Sequence, residues 1–156
     1  MSLFQGVQLV NAKGEKKDGE ECVAGKTLAL YFAADWCPDC RSFQPALNDF
    51  YKDVNKDGAK LELVFVGSDR SEEDQIAHFE NKQGPWWMIS YDNALRNELK
   101  RKYGVCAGKE QVEVGVTERK GGIPSLVVVQ PNGDLVDLHG AEKVESDGVQ
   151  AFASWQ

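Results

Sequence analysis

No apolar run in this sequence is long enough to cross a bilayer. The longest, such as Leu126–Val129, fall far short of the roughly 20 residues a membrane helix needs. Met1-Ser2-Leu3-Phe4 opens no charged segment followed by a long apolar core, so no secretory signal is expected. Basic residues are outnumbered, 18 Lys and Arg against 25 Asp and Glu. The resulting net charge of -7 argues against a nucleic-acid partner. It suits a basic protein or a cationic thiol, or is simply a solvated acidic surface. There are only two histidines, His78 and His139, and neither has an identifiable nucleophile beside it. Nucleotide and flavin motifs, repeats and low-complexity tracts are all missing, so no cofactor is expected. Cysteine is also scarce, at four in 156 residues. That density is too low for a secreted disulfide scaffold and favours redox or metal use in a cytoplasmic, or also nuclear, protein.

Against this background one string stands out, Trp36-Cys37-Pro38-Asp39-Cys40. It sets two thiols three residues apart, directly after the apolar run Thr27–Ala34 and at the head of an expected helix. Such a pair in a first helical turn can close a disulfide without moving the backbone. The free N–H groups of that turn and the positive end of the helix dipole favour a thiolate at the leading cysteine. Asp39 acts in the opposite sense, because its carboxylate lies near the same sulfur. The two effects are of similar size at an exposed site. Cys37 is therefore expected to be activated for exchange, though less than with proline at position 39. A bare CxxC is also half of a zinc site. Cys22, Cys106, His78 and His139 offer no second paired spacing, so no metal is expected.

The remaining pattern is that of one α/β domain spanning 1–156. Gly6–Val10 alternates, and Gly14, Gly19 and Lys16-Lys17 mark turns, which predicts an N-terminal hairpin or edge strand. Thr27–Ala34 and Leu61–Val66 read as strands buried on both faces. From Pro38 to about Asn55, Phe43, Leu47, Phe50, Tyr51 and Val54 recur at helical spacing, with Pro45 expected to kink the helix. Ser71 is the expected N-cap of a helix running to about Lys82, with Glu72–Asp74 as its first turn. Gly84-Pro85-Trp86-Trp87 interrupts the pattern, its tryptophans expected in packing. Asp92–Tyr103 reads as another helix.

Ile123–Val129 and Asp134–Leu138 flank the hairpin turn Pro131-Asn132-Gly133-Asp134. Val144–Trp155 closes the pattern as a helix. Within Gly104–Gly122 the alternation of Val112, Val114 and Val116 allows a short strand, whereas the glycines and charges favour an excursion loop. A mixed central sheet flanked by helices follows.

With WCPDC on a strand-to-helix turn and Ile123-Pro124 opening a later strand, the chain resembles the thioredoxin superfamily. More narrowly, it is similar to the tryparedoxin/nucleoredoxin group. Tyr31-Phe32 precedes the active string, and Cys40-Arg41-Ser42-Phe43-Gln44-Pro45 resembles that group's C-R-x-F-x-P. Phe65-Val66-Gly67-Ser68-Asp69-Arg70-Ser71-Glu72-Glu73 resembles its second central strand and following loop. Pro85-Trp86-Trp87, Tyr103-Gly104-Val105 and Gly122-Ile123-Pro124-Ser125-Leu126 fall where it has similar motifs. Three departures accompany the match. Pro38-Asp39 stands where Pro-Pro is usual. The stretch 104–122, with Cys106, is longer than the usual connection. Tyr31 occupies the place of the acid that ordinary thioredoxins bury, as in the tryparedoxins.

The resemblance implies a thioredoxin fold and a thiol–disulfide oxidoreductase. Cys37 would be the nucleophile and Cys40, one turn in and more buried, the resolving thiol. Trp36, Pro38, Asp39 and Arg41 would support them. Trp36 would shield the sulfur, and Arg41 would cover apolar surface or pair with a carboxylate. Pro124, if cis, would hold the Ile123 backbone open for a substrate strand.

The implied partners are disulfide-bearing proteins such as a peroxiredoxin. Electrons would come from a separate donor of the trypanothione or thioredoxin-reductase type. Cys106, near Lys102 and Lys109, is a candidate regulatory thiol, while Cys22 reads as a small buried hydrophobe. A monomer is expected. A redox-sensing, nucleoredoxin-like binding protein with little turnover is the alternative.

Overall fold

The computed structural model describes residues 2–156. Its centre is set by three strands that are apolar on both faces: β3 (Thr27–Ala33), β4 (Leu61–Gly67) and β6 (Ser125–Val129). β3 pairs parallel to β4, from Thr27 with Leu61 to Ala33 with Gly67, and antiparallel to β6, from Leu28 with Val129 to Phe32 with Ser125. The full sheet adds β1 (Gln8–Val10), β2 (Lys16–Asp18), β5 (Trp87–Met88) and β7 (Leu135–Asp137). Its order is β2-β1-β5-β4-β3-β6-β7.

Alternate residues of each central strand serve different cores, as a pleat requires. Ala29, Tyr31, Leu63, Phe65, Leu126 and Val128 pack under α2 (Pro38–Val54), α3 (Glu72–Lys82), α6 (Gly140–Asp147) and α7 (Gln150–Ala153). Leu28, Leu30, Phe32, Val64, Val66 and Val127 pack on the other side, against α1 (Gly19–Val23) and α4 (Leu95–Tyr103). No helix among the described residues is long and apolar enough to cross a membrane.

Several expectations are refined. The N-terminal hairpin forms, with Leu9 opposite Lys17. Pro45 lies inside α2 without ending it. The expected helix from Asp92 begins at Leu95, whose N–H is taken by Asn93 Oδ1 at 2.9 Å. The single closing helix Val144–Trp155 is two helices. Gly148, at φ 58°, ends α6, and α7 starts beyond it. Val144, Ala151 and Trp155 bury in one cluster all the same, so their spacing imitated one helix.

The stretch 104–122 is a closed excursion, as favoured, and not a strand. Val105 bridges Gly121 at its neck. Inside lie a short 3₁₀ turn (Gly108–Glu110) and α5 (Gln111–Val114). Val114 and Val116 join Cys106 in a small core, while Val112 is left in solvent.

Gly104 makes that neck. It ends α4 at φ 68°, and a Cβ there would meet the Glu118 carbonyl oxygen at 2.7 Å. Gly104→Ala is expected to cost about 1–3 kcal/mol, read as a lower urea midpoint at unchanged slope. A change within 0.3 kcal/mol, about the usual scatter between independent sites, would show that the neck relaxes freely.

Candidate active site

Where β3 gives way to α2 the chain has no strand partner, and Cys37 becomes the N-cap of the helix. Pro38 follows at the first helical position, where a missing N–H costs nothing. The cap is the cysteine itself: the backbone N–H of Cys40 donates to Cys37 Sγ at 3.3 Å. On its other side Cys37 Sγ lies 3.7 Å from the carbonyl oxygen of Ile123. The Ile123–Pro124 peptide is cis. Both thiols are free, with Cys37 6% exposed and Cys40 1%. Asp39 stands in solvent in the first turn.

Burial pushes the Cys40 thiol well above the ordinary thiol range, with the adjacent Cys37 and Asp39 adding to it and the Ala34 backbone opposing. Burial survives removal of Cys37. In Cys37→Ser, alkylation of Cys40 is thus expected to be negligible at neutral pH and to rise about tenfold per pH unit through pH 9. A plateau below about pH 8.5, the ordinary cysteine range, would contradict this.

The loop before Cys37 is tied to the end of β4 by groups some thirty residues away. Trp36 Nε1–H donates to the Ser68 carbonyl at 3.0 Å. Asp69 Oδ1 accepts the Asp35 N–H at 2.8 Å, while its Oδ2 sits 3.1 Å from buried His78 Nδ1. Lys82 Nζ reaches the Asp35 carboxylate at 2.7 Å, and that hydrogen bond holds the carboxyl below its usual range. Arg41 Nε donates to the Asp35 carbonyl at 2.6 Å. Tyr31 lies beneath α2 with its hydroxyl on Gln44 Oε1 at 2.8 Å, and burial pushes that phenol strongly up.

The sequence alone does not reveal these contacts of Ser68, Asp69, His78 and Lys82. The run Phe65–Glu73 contains the first two but marks a loop rather than a contact, His78 enters only as a rejected zinc ligand, and Lys82 only as a helix end.

The other cysteines stand apart. Cys22, on the buried face of α1, packs into the core, its thiol pushed up to about 11 by burial. Cys106 is wholly buried in the excursion, and burial raises its thiol too. This placement opposes the reactive, accessible thiol that Lys102 and Lys109 suggested. Trp86 is a core residue, edge-on to Tyr31 and Tyr51. His139 meets Glu142, not a thiol.

The excursion folds back on this end of the sheet through one buried charge. Lys100 of α4 is fully enclosed, and its Nζ contacts Glu110 Oε1 at 2.7 Å. Glu110 Oε2 accepts the Ala107 N–H at 2.8 Å and the Ser68 hydroxyl. Ser68 thereby links the excursion to Trp36.

Comparison with known proteins agrees with this geometry. Residues 25–135 match the family model described as thioredoxin-like. Human nucleoredoxin-like protein 1 is 30% identical over 99% of this chain and 71% of its own length. Bovine nucleoredoxin is 31% identical over 89% of the chain, which spans only 28% of that larger protein. Among solved structures, thioredoxin from Wuchereria bancrofti superposes with a TM-score of 0.79 at 34% identity, covering 99% of this chain and 97% of its own. Tryparedoxin II from C. fasciculata gives 0.70 at 26% identity, covering 90% and 82%. A helix-capping dithiol beside a cis proline, on this sheet and with these relatives, places the chain in the thioredoxin superfamily as a nucleoredoxin- and tryparedoxin-like member.

Proposed function

We propose that this protein reduces protein disulfides by cycling Cys37 and Cys40 between dithiol and disulfide. The observation that carries the reading is the setting of the Cys37 sulfur, between the Cys40 N–H at 3.3 Å and the Ile123 carbonyl at 3.7 Å. The N–H favours negative charge on the sulfur. The Ile123 edge offers a partner's extended segment a strand to pair with.

Cys37 thiolate attacks one sulfur of the partner disulfide, whose S–S bond breaks and releases one thiolate. Cys40 then loses its proton and attacks Cys37 in the mixed disulfide, displacing the second thiolate. Two electrons pass to the partner, its thiolates take up two protons, and the Cys37–Cys40 disulfide remains. A separate donor returns the two electrons. A tryparedoxin II structure contains glutathionylspermidine, so a trypanothione-type thiol is a donor to test beside a thioredoxin-reductase type. A peroxiredoxin is the acceptor to test. The cycle calls for a reducing compartment, the cytosol or nucleus.

The measurement is the Cys37/Cys40 reduction potential against glutathione, with insulin reduction on the same preparation. A value of roughly -270 to -230 mV with turnover is expected. A second reading, a redox-sensing binding protein, is favoured by Lys109 of the excursion, whose ammonium sits 4.8 Å from the Trp36 ring. It predicts disulfide formation and redox-dependent complexes with no turnover.

A further inference from the structure

The two flanks of Cys37 carry opposite charge. On the Pro124 side a cleft of about 510 Å³ is lined by three carboxylates, Asp39, Glu142 and Glu145, against one lysine, Lys120, with His139 beside them. On the Trp36 side a smaller cavity of about 290 Å³ is lined by Arg70, Arg96, Asn97 and Lys109. Arg70 and Lys109 lie over the Trp36 ring at 5.5 and 4.8 Å, and neither makes an ion pair among the described residues. Arg96 donates to the carbonyls of Tyr91 and Gly67, both at 2.8 Å, so its charge too is uncompensated.

Of the cavity's own carboxylates, Glu110 is paired with the buried Lys100, while Asp69 is held by His78 and the Asp35 N–H without a counter-charge. Asp69 and Glu113 therefore face three cations, Arg70, Arg96 and Lys109. In a chain of net charge -7 this local excess is of the opposite sign to the whole.

A cavity of this charge beside a thiol that exchanges with protein disulfides fits a carboxylate carried on the partner's own chain.

We propose that the cavity beside Trp36 is a recognition site for an Asp or Glu side chain flanking the disulfide of a protein substrate. Arg70, Lys109 and Arg96 receive the carboxylate. The acidic cleft on the Pro124 side repels the same residue, so one orientation of the partner segment across Cys37 is selected. The proposal rests on the dithiol reading for its substrate but on the cavity alone for its chemistry.

The test uses blocked peptides with one intramolecular disulfide, identical except for Glu or Gln beside either cysteine. Stopped-flow reduction by the wild-type dithiol at low salt is expected to favour Glu on one flank by about fivefold. In Arg70→Gln/Lys109→Gln that Glu-to-Gln ratio is expected to fall to about one. Versions with both cysteines replaced by serine are titrated in parallel, following the Trp36 indole N–H by NMR. The Glu peptide should shift it, and the Gln peptide should not.

The proposal is overturned by equal rates for Glu and Gln on both flanks, or by a ratio that survives in the double variant. It also falls if acetate alone gives the same indole shift at equal concentration. If neither peptide is reduced, the reductase reading fails, and the indole titration still decides the cavity.

Discussion

Cys37→Ser is expected to bring disulfide reduction down to the uncatalysed background, a loss on the order of a thousandfold or more. Cys40 cannot take over. It is 1% exposed, and burial holds its thiol protonated. Cys40→Ser is expected to fail differently, because the N–H that caps Cys37 belongs to the backbone and survives the change. The first attack then proceeds and the second does not, so a stoichiometric mixed disulfide with substrate accumulates, visible by intact mass. Equal retention of turnover in both variants would remove Cys37 as nucleophile. Loss in both with no trapped species would remove Cys40 as the resolving thiol.

The second large effect is expected far from either thiol. Glu110→Gln leaves Lys100 enclosed without its counter-charge, and stripping one partner from a buried pair costs about 3–5 kcal/mol. For a domain of this size that is a fall in Tm of roughly 6–20 °C. The pH dependence distinguishes this mechanism from lost packing. Burial already pushes the Lys100 ammonium below the ordinary lysine range, against the pull of Glu110. Without Glu110 it falls further, and the unfolded chain then binds a proton that the folded chain lacks. Stability from such a group is complete above the unfolded value, about 10.4, and is lost as pH falls through the folded one. The variant's deficit should therefore shrink as urea midpoints are followed from pH 7 toward pH 10. Adding Lys100→Met should recover much of the loss at neutral pH. A deficit that ignores both pH and Lys100→Met would mean that the carboxylate matters only through its hydrogen bonds to Ala107 and Ser68.

The parts of this fold that were legible in the sequence are those where one local signal and one global role coincide. Thr27–Ala34 and Leu61–Val66, like the later run Leu126–Val129, lack a polar face because both faces are covered. Cys37 was legible as a cap because Pro38 and Asp39 are themselves first-turn residues. What escaped was short or non-local. β5 is two residues long, too few for a period, and exists because β1 and β4 leave room between them. Lys100 sits in the run Lys100-Arg101-Lys102, which reads as a solvated helix end, yet the excursion closes over the first of the three. Asp69 meets Asp35 and His78 only after the sheet has formed. Cys106 looked accessible between glycines, because the core that encloses it is built from Val114 and Val116 of the same loop.

The position of β3 between β4 and β6 also separates two events in time. Its parallel ladder with β4 is complete once residue 67 is available, whereas its antiparallel ladder needs residues 125–129. A nascent chain made as far as position 122 contains Cys37, Cys40 and the charged residues around Trp36, but not Ile123, Pro124 or β6. The core that packs α2 also draws on Leu126, Val128, Ala141 and Val144, all made later. The thiol pair is thus written early in the chain and given its setting late, when the last third of the sequence closes the sheet around it.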